Sequence, residues 1–263
     1  MKAIGVFDSG LGGLTVVREL IRQLPYEDIV YFGDTARVPY GTKSRETIIR
    51  FSTEDILFLL KHDVKLICVA CNTASSVALS AVKGHFKVPI VGVIAPGAKE
   101  AISATQNKRI GVLGTRSTVK SRAYDTQIKK LDPGAQVTAV ACPLFVPFVE
   151  EDWLSGKVIL EVARAYLKPL KDAKVDTVIL GCTHYPLLKP VIKKVLGERV
   201  VLIDSARQVA GEVRKILAKG GQLNKKRASR RRFYVSDNPE GFSKLARRFL
   251  GKSAQNVMKV NNV

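Results

Sequence analysis

The chain has 263 residues with a net charge of +20, and 46% of its residues are hydrophobic. This length and composition predict one large or two ordinary-sized globular domains with a substantial core. Four cysteines do not suggest a disulfide scaffold, and the first residues hold too few apolar positions for a signal peptide. The longest uncharged run, 133–149, contains three prolines and cannot span a bilayer, so we expect a cytoplasmic protein without a membrane segment.

Strands and helices are predicted to alternate along the first part of the chain. The predicted strands are Ile4–Phe7, Ile29–Phe32, Leu66–Ala70 and Pro89–Ile94. The predicted helices are one from Leu14 to Leu24, stopped by Pro25, and two more at Ile48–Leu60 and Ser75–Val82. Such alternation is typical of right-handed crossovers in a mainly parallel sheet.

The series of elements starts again after Pro96-Gly97. Three landmarks recur in the same order and at nearly the same spacing: Ile4–Ser9 recurs as Ile110–Thr115, Cys71 as Cys182, and Val91–Ile94 as Val201–Asp204. This recurrence predicts a duplicated unit. We expect an α/β fold of two similar parallel-sheet domains related by a pseudo-twofold axis, with the active site in the cleft between them. Residues 1–96 and 207–263 form the first domain, and residues 97–206 form the second.

The elements after residue 206 are expected to return to the first domain. An exposed connection is predicted at 219–232, a run of 133–149 is predicted to be a strand and a loop, and a short strand at Arg232–Val235 precedes a helix that starts at Asn238-Pro239 and ends at Leu250. The connection carries two basic runs, Lys225-Lys226-Arg227 and Arg230-Arg231-Arg232. Such a field attracts anions generally, from small dicarboxylates to nucleic acid, although a solvated basic surface explains it equally well.

Two cysteines occur in the same setting, one in each half of the chain. Each apolar strand-like run ends at a Cys followed by small polar residues, in Cys71-Asn72-Thr73 and in Cys182-Thr183-His184. Two opposed thiols could remove and deliver a proton on opposite sides of one carbon, which is racemisation. The thiolate is the basic form, and we expect a helix N-terminus and proton acceptors to favour it, with Asp8 near Cys71 and His184 near Cys182.

Other chemistries fit these motifs less well. Cys68 and Cys71 spell C-x-x-C, but the sequence has no second such pair and no metal-ligand spacing of its histidines, so a redox or zinc site is disfavoured. Cys68 and Cys142 are interpreted as buried apolar groups. The loop after Asp8, Gly10-Leu11-Gly12-Gly13, departs from the dinucleotide pattern, and the carboxylate suits an ammonium group better than a phosphate.

Taken together, the motifs resemble the glutamate racemase family of the cofactor-independent aspartate/glutamate racemase superfamily. The segments that carry the resemblance, over nearly the whole chain, are 7–15, 33–41, 70–74, 143–151, 181–186 and 233–239. The resemblance implies a reversible interconversion of L- and D-glutamate without pyridoxal phosphate or metal, in the supply of D-glutamate for peptidoglycan. It also implies that Cys182 takes the proton from L-glutamate while Cys71 supplies one to the other face.

The same resemblance assigns the remaining site residues. Asp8, His184 and Glu150 match auxiliary ionisable groups around the two cysteines. The positions that match substrate-binding residues are Asp8, Ser9, Tyr40, Gly41, Asn72, Thr73, Thr115, Thr118, Thr183 and His184. We expect glutamate as the small-molecule substrate, no cofactor, and a homodimer.

Two alternatives stay open at this point. A superfamily relative could act on aspartate or a similar acid, which the side-chain pocket would decide. The +20 charge could instead serve nucleic-acid binding, but the run Lys225–Arg232 contains no aromatic residue before Phe233. Any such binding through the C-terminal region is expected to be weak.

Overall fold

The computed structural model describes residues 2–225, 228–250 and 256–260. The strands of these residues are β1 Ala3–Asp8, β2 Ile29–Gly33, β3 Val64–Val69, β4 Ile90–Gly92, β5 Arg109–Gly114, β6 Gln136–Ala141, β7 Thr177–Gly181, β8 Val201–Ile203, β9 Arg231–Val235 and β10 Val257–Lys259. The helices are α1 Leu14–Gln23, α2 Arg45–Leu60, α3 Asn72–Val77, α4 Leu79–Val82, α5 Ile94–Ala104, α6 Arg116–Lys120, α7 Ala123–Leu131, α8 Phe145–Glu150, α9 Lys157–Asp172, α10 Lys189–Leu196, α11 Ala206–Lys219 and α12 Pro239–Leu250. Short 3₁₀ turns lie at Tyr40–Thr42, Lys83–His85 and Tyr185–Leu188.

The strands form two parallel sheets, which confirms the predicted α/β fold with two sheet domains. The first sheet has the order β10-β9-β2-β1-β3-β4 and the second the order β6-β5-β7-β8. The inner order β2-β1-β3-β4 of the first sheet corresponds strand by strand to the order of the second. The predicted duplication is therefore visible in the topology. It makes β3 the counterpart of β7, the two strands that lead to Cys71 and Cys182.

One apolar cluster joins the two sheets. It includes Ile4 of β1, Val112 of β5 and Ile179 of β7, together with Leu20 of α1 and Val213 of α11. Helix α11 packs against both α1 and α5. Because this cluster buries side chains of both halves, it fixes the relative position of the two sheets whose strand ends form the site.

Several element boundaries differ from the sequence-based expectation; β3, for example, is Val64–Val69 and not Leu66–Ala70, and α2 begins at Arg45 and not at Ile48. The predicted strand Pro89–Ile94 is wrong at its end, because β4 stops at Gly92 and Ile94 already begins α5. The Val93 backbone N–H donates instead to the Ser75 hydroxyl, which ends the ladder there. The predicted helix Ser75–Val82 is two short helices, α3 and α4.

The run 133–149 was expected to be a strand and a loop, and this is wrong in its second half. Strand β6 is followed by helix α8, which contains Pro147. Proline is accepted because Pro147 is the third residue of the helix, where the backbone N–H has no partner within the helix in any case. Helix α8 carries Glu150, so this correction concerns the site directly.

The C-terminal elements β9 and β10 lie in the first sheet, at its edge beside β2. Strand β9 begins at Arg231, one residue before the predicted Arg232.

The exposed connection before β9 is anchored by a buried ion pair. Lys65 Nζ lies 2.6 Å from a carboxylate oxygen of Glu27 and also donates to the Gln222 carbonyl of the connection. Lys225 and Arg230 are exposed, whereas Lys226 and Arg227 of the basic run lie outside the described residues. The domain limits at 96/97 and 206/207 stay a prediction.

Among the described residues, none of the helices combines the length and the apolar character needed to cross a membrane.

Candidate active site

The two cysteines of the duplicated motif lie at corresponding places in the two sheets. Cys71 comes two residues after the end of β3, and Cys182 directly follows β7. Both side chains are buried, and both line one small cavity between the sheets. Cys71 and Cys182 thus lie at the carboxyl ends of parallel strands, which is where open α/β sheets bind ligands.

Cys71 is the N-cap of α3, and its surroundings keep the thiol protonated. The Sγ atom accepts the Ala74 backbone N–H at 3.5 Å and lies 3.6 Å from the Ser9 hydroxyl oxygen. Burial, helped by the charge of Asp8, raises the pKa of Cys71 to about 12 in spite of these two contacts. The helix N-terminus lowers this pKa as expected, but burial outweighs it. Burial therefore favours the thiol form of Cys71.

Cys182 belongs to a chain of three polar side chains. Its Sγ lies 3.8 Å from His184 Nδ1, and His184 Nε2 lies 3.2 Å from a carboxylate oxygen of Glu150. Burial lowers the pKa of His184, but the hydrogen bonds to Cys182 and Glu150 outweigh it and raise the pKa well above its ordinary value. A protonated imidazole stabilises negative charge on the neighbouring sulfur.

Asp8 connects the two halves of the site. Its carboxylate is fully buried and accepts the Thr183 hydroxyl at 3.1 Å and the Gly10 backbone N–H at 3.0 Å. Burial raises the pKa of Asp8, and the charge of His184 and these donors oppose that rise. Asp8 and Cys71 both lie in the described part of the chain and form no hydrogen bond with each other. The effect of Asp8 on the pKa of Cys71 is therefore that of its negative charge.

Three threonine hydroxyls meet at the other side of the cavity. Thr73 Oγ1, which belongs to the first sheet's side, lies 2.9 Å from Thr115 Oγ1 and 3.3 Å from Thr118 Oγ1. Thr115 Oγ1 and Thr118 Oγ1 lie 3.0 Å apart. Hydroxyl groups can donate or accept, so this cluster can turn its donors toward an anionic ligand.

The cavity itself is small and mostly enclosed. It holds about 10 Å³, which is room for one water molecule. Its lining consists of Ser9, Val38, Pro39, Tyr40, Gly41, Cys71, Asn72, Thr73, Thr115, Val146, Cys182, Thr183 and His184. An amino acid therefore enters only when the two sheets or their loops separate.

Three of the predicted site residues stand behind this lining. Each bonds to residues that line the cavity. Asp8 bonds to Thr183, Glu150 bonds to His184, and Thr118 bonds to Thr73 and Thr115. The phenol of Tyr40 points away from the cavity, since its hydroxyl bonds to the buried carboxylates of Asp34 and Asp55. Only the remainder of Tyr40 is available to a ligand.

Sequence reasoning missed Tyr124 and the apolar lining of Val38 and Val146. The Tyr124 hydroxyl donates to the side-chain oxygen of Asn72 at 2.7 Å. This bond joins α7 of the second half to α3 of the first, and it leaves the Asn72 amide N–H groups free to act as donors. In the sequence Tyr124 looks like an ordinary core residue of an amphipathic helix, so no signal distinguished it.

Two glycines allow the halves to approach each other here. A Cβ atom on Gly12 would lie 2.4 Å from Thr183 Oγ1 and 2.9 Å from His184 Nδ1. A Cβ atom on Gly41 would lie 2.4 Å from the Thr115 Cβ. Both distances are shorter than real Cβ contacts, so glycine is required at both positions for the cavity to close.

Comparisons with known proteins show the family to which this chain belongs. The family model for Asp/Glu/hydantoin racemases matches residues 4–213. The glutamate racemase of Geobacter metallireducens is 51% identical over 262 residues, which cover 99% of this chain and 97% of the relative. The chain belongs to the glutamate racemase family. It is thus a racemase, an isomerase, as its sequence motifs predicted.

Solved structures of this family share the fold of the racemase. Glutamate racemase from Bacillus anthracis aligns with a TM-score of 0.93 at 41% identity, covering 99% of this chain and 97% of its own. Glutamate racemase from Francisella tularensis, in complex with D-glutamate, aligns equally well, with a TM-score of 0.93 and 41% identity. The substrate of the racemase is accordingly a small molecule.

No group of three or more His, Cys, Asp or Glu side chains that could hold a metal ion is found within residues 2–225, 228–250 and 256–260.

Proposed function

We propose that the racemase interconverts L- and D-glutamate, with Cys71 and Cys182 as the two bases on opposite faces of the α-carbon. The observation that carries this proposal is the pair itself: two buried thiols from corresponding strand ends line one cavity. The full-length similarity to glutamate racemases supports glutamate as the substrate rather than aspartate. Proton removal on one face and delivery on the other inverts the carbon without a covalent intermediate.

The surroundings of the two thiols support different starting states. Cys71 is a protonated acid, while the imidazolium of His184 stabilises negative charge on Cys182. Such a pair is ready for L-glutamate, because Cys182 removes the α-proton and Cys71 delivers its own to the opposite face. For D-glutamate the roles reverse: Cys71, as the thiolate, removes the α-proton and Cys182, as the thiol, delivers its own proton to the opposite face.

The remaining polar groups bind and orient the substrate in this proposal. Asp8, which lies behind Thr183, attracts the ammonium group into the cavity through its negative charge. The hydroxyls of Ser9, Thr73 and Thr115 and the amide of Asn72 donate to the two carboxylates. Charge that develops on the α-carboxylate during deprotonation is stabilised by these fixed donors, because the closed cavity excludes water.

The experiment is the loss of optical activity of L-glutamate with purified protein and no added cofactor. Cys71→Ala and Cys182→Ala are each expected to lower kcat at least about 10³-fold, since each removes one proton carrier. Cys68→Ala and Cys142→Ala are the matched controls, because both thiols are equally buried but lie outside the cavity lining. Racemisation at near-normal rates in either of the first two variants would contradict the mechanism.

Three further expectations form part of the proposal. The product D-glutamate supplies peptidoglycan synthesis in the cytoplasm. The racemase forms a homodimer, which the exposed apolar side chains of Leu144, Trp153 and Val158 support and sedimentation equilibrium tests. Nucleic acid binds weakly at most through the basic C-terminal region, so that affinity falls steeply as salt is raised.

A further inference from the structure

A second, larger cavity lies on the outer side of the threonine cluster. We name it the vestibule; it measures about 480 Å³ and is open to solvent. Its lining consists of Lys43, Ser44, Arg45, Ile48, Ser76, Val77, Ser80, Ser117, Lys120 and Ser121. Three cations and five serine hydroxyls thus surround a space large enough for a small organic anion.

The positive charge of the vestibule is not neutralised from within. Its lining contains no acidic residue, and the ion pairs found among the described residues include none of its cations. Arg45 has Glu46 beside it in the sequence, whereas Lys43 and Lys120 have no acidic neighbour. Lys43 comes from the first half of the chain and Lys120 from the second, which places one cation on each side of the cleft.

A thin polar wall separates the vestibule from the active-site cavity. The Ser117 hydroxyl, in the vestibule, donates to the carbonyl of Gly41 at 3.0 Å and lies within reach of the Lys43 carbonyl at 3.4 Å. Gly41 and the bonded pair Thr73 and Thr115 line the inner cavity. These contacts join the two halves through exchangeable hydroxyl bonds, each worth about 1 kcal/mol net, so the wall can open at small cost.

The inner cavity does not itself contain the charge that attracts a dianion. No Lys or Arg lines it, its imidazole is committed to Cys182 and Glu150, and Asp8 lies directly behind Thr183. Dipoles and hydroxyls can hold a carboxylate there once it is enclosed, but they do not attract it over a distance. The vestibule, by contrast, is lined by Lys43, Arg45 and Lys120.

We propose that the vestibule is an outer binding site for the carboxylates of the dicarboxylate substrate, which occupies it before the wall opens into the active site. This proposal rests on the proposed function. Lys43 and Lys120 hold the anion from opposite sides of the cleft. Because the field of the two lysines is screened over about 8 Å at physiological salt, it acts on substrate in the vestibule and not on distant substrate.

The test compares the double variant Lys43→Gln/Lys120→Gln with Lys171→Gln/Lys225→Gln, which removes the same charge from two exposed lysines elsewhere. We expect kcat/KM of the first to fall about five- to tenfold at low ionic strength, with kcat changing less than twofold. The control is expected to change kcat/KM by less than twofold. An equal fall of kcat/KM in both double variants, or no fall in Lys43→Gln/Lys120→Gln, would contradict the proposed outer binding site.

Inorganic sulfate provides a readout that does not depend on turnover. Calorimetric titration at constant ionic strength, set with sodium chloride, is expected to show one sulfate site in the wild type and in the control variant, and none in Lys43→Gln/Lys120→Gln. Sulfate binding that survives in that variant contradicts the proposal. If the proposed function fails, none of the proteins racemises glutamate, yet the sulfate result still decides whether the vestibule binds anions.

Discussion

Thr183 and Asp8 join the two halves of the racemase by a buried hydrogen bond of 3.1 Å, in which the threonine hydroxyl donates to the carboxylate. Thr183 directly follows Cys182, and Asp8 directly precedes the Ser9 that contacts Cys71. The bond therefore connects the surroundings of one thiol with those of the other. Its donor keeps a fully buried carboxylate closer to its ordinary acidity, since removing a donor would raise the pKa of Asp8 further.

Thr183→Val removes this donor while keeping the shape of the side chain. We expect the free energy of unfolding to fall by about 1–3 kcal/mol, because a buried acceptor loses its partner. Because Asp8 then favours its neutral form, kcat/KM for L-glutamate is expected to fall at least about tenfold. Thr183→Ser keeps the hydroxyl and serves as control. Equal kinetics of the Val and Ser variants would show that the bond has no role.

Glu150 maintains the charge of His184, and this gives a prediction for the pH profile. In Glu150→Gln the pKa of His184 falls, so the alkaline limb of kcat/KM moves to lower pH, and activity at alkaline pH drops about tenfold. The raised pKa of His184 also makes the free energy of unfolding depend on pH. The protonated imidazole stabilises the fold at pH values below the pKa of His184 in the unfolded chain, and this contribution is lost as the pH rises through the pKa in the folded protein.

The control for this profile is Glu151→Gln, which changes the exposed neighbouring carboxylate. Its alkaline limb is expected to coincide with that of the wild type. An unshifted limb in Glu150→Gln would contradict the role of Glu150 in keeping His184 charged.

Tyr124 orients Asn72, so its hydroxyl is expected to affect binding more than the proton transfers. Tyr124→Phe leaves the Asn72 amide free to turn, and we expect KM to rise about tenfold with kcat reduced less than threefold. Tyr166→Phe is the matched control, because it removes a hydroxyl whose hydrogen bond, within the described part of the chain, is the one it accepts from the Leu144 backbone N–H. An unchanged KM in Tyr124→Phe would show that the Tyr124 hydroxyl has no role in substrate binding.

Gly12 is the residue that lets the loop after β1 touch Thr183 and His184. Gly12→Ala places a Cβ atom 2.4 Å from the Thr183 hydroxyl, so the two halves must move apart. A displacement of this kind is expected to lower kcat/KM at least about 10²-fold while the protein remains folded. Gly84→Ala, whose Cβ meets nothing within 4 Å, is expected to behave like the wild type in the same assay.

The duplication made the outline of this site predictable from the sequence. Strands β3 and β7 are apolar runs that are buried on both faces of the sheet. Such strands are recognisable in a sequence because nearly all of their residues are hydrophobic. The cysteines follow within two residues of these strands, so their common location required only the rule that parallel strands present their carboxyl ends at one edge. Glu150 was found by the resemblance, although the helix that carries it was not.

What the sequence did not predict depends on contacts between distant elements. The bond from Tyr124 to Asn72 exists because α7 packs beside α3, and no local pattern encodes that approach. The protonated state of Cys71 follows from complete burial beside Asp8, whereas the sequence showed only the favourable helix start. Strand β4 ends at Gly92 because Ser75, from another element, takes the next backbone N–H.

The measurement that tests the two-base mechanism most directly is the early turnover of L-glutamate in D₂O, analysed by mass spectrometry after chiral separation. Cys71 exchanges its proton with solvent, so the account predicts one deuterium at the α-carbon of every D-glutamate formed. The L-glutamate recovered below about 10% conversion should remain unlabelled, because Cys182 removes its proton on the other face. D-glutamate that retains the original hydrogen, or L-glutamate labelled as fast as product appears, would contradict two bases on opposite faces.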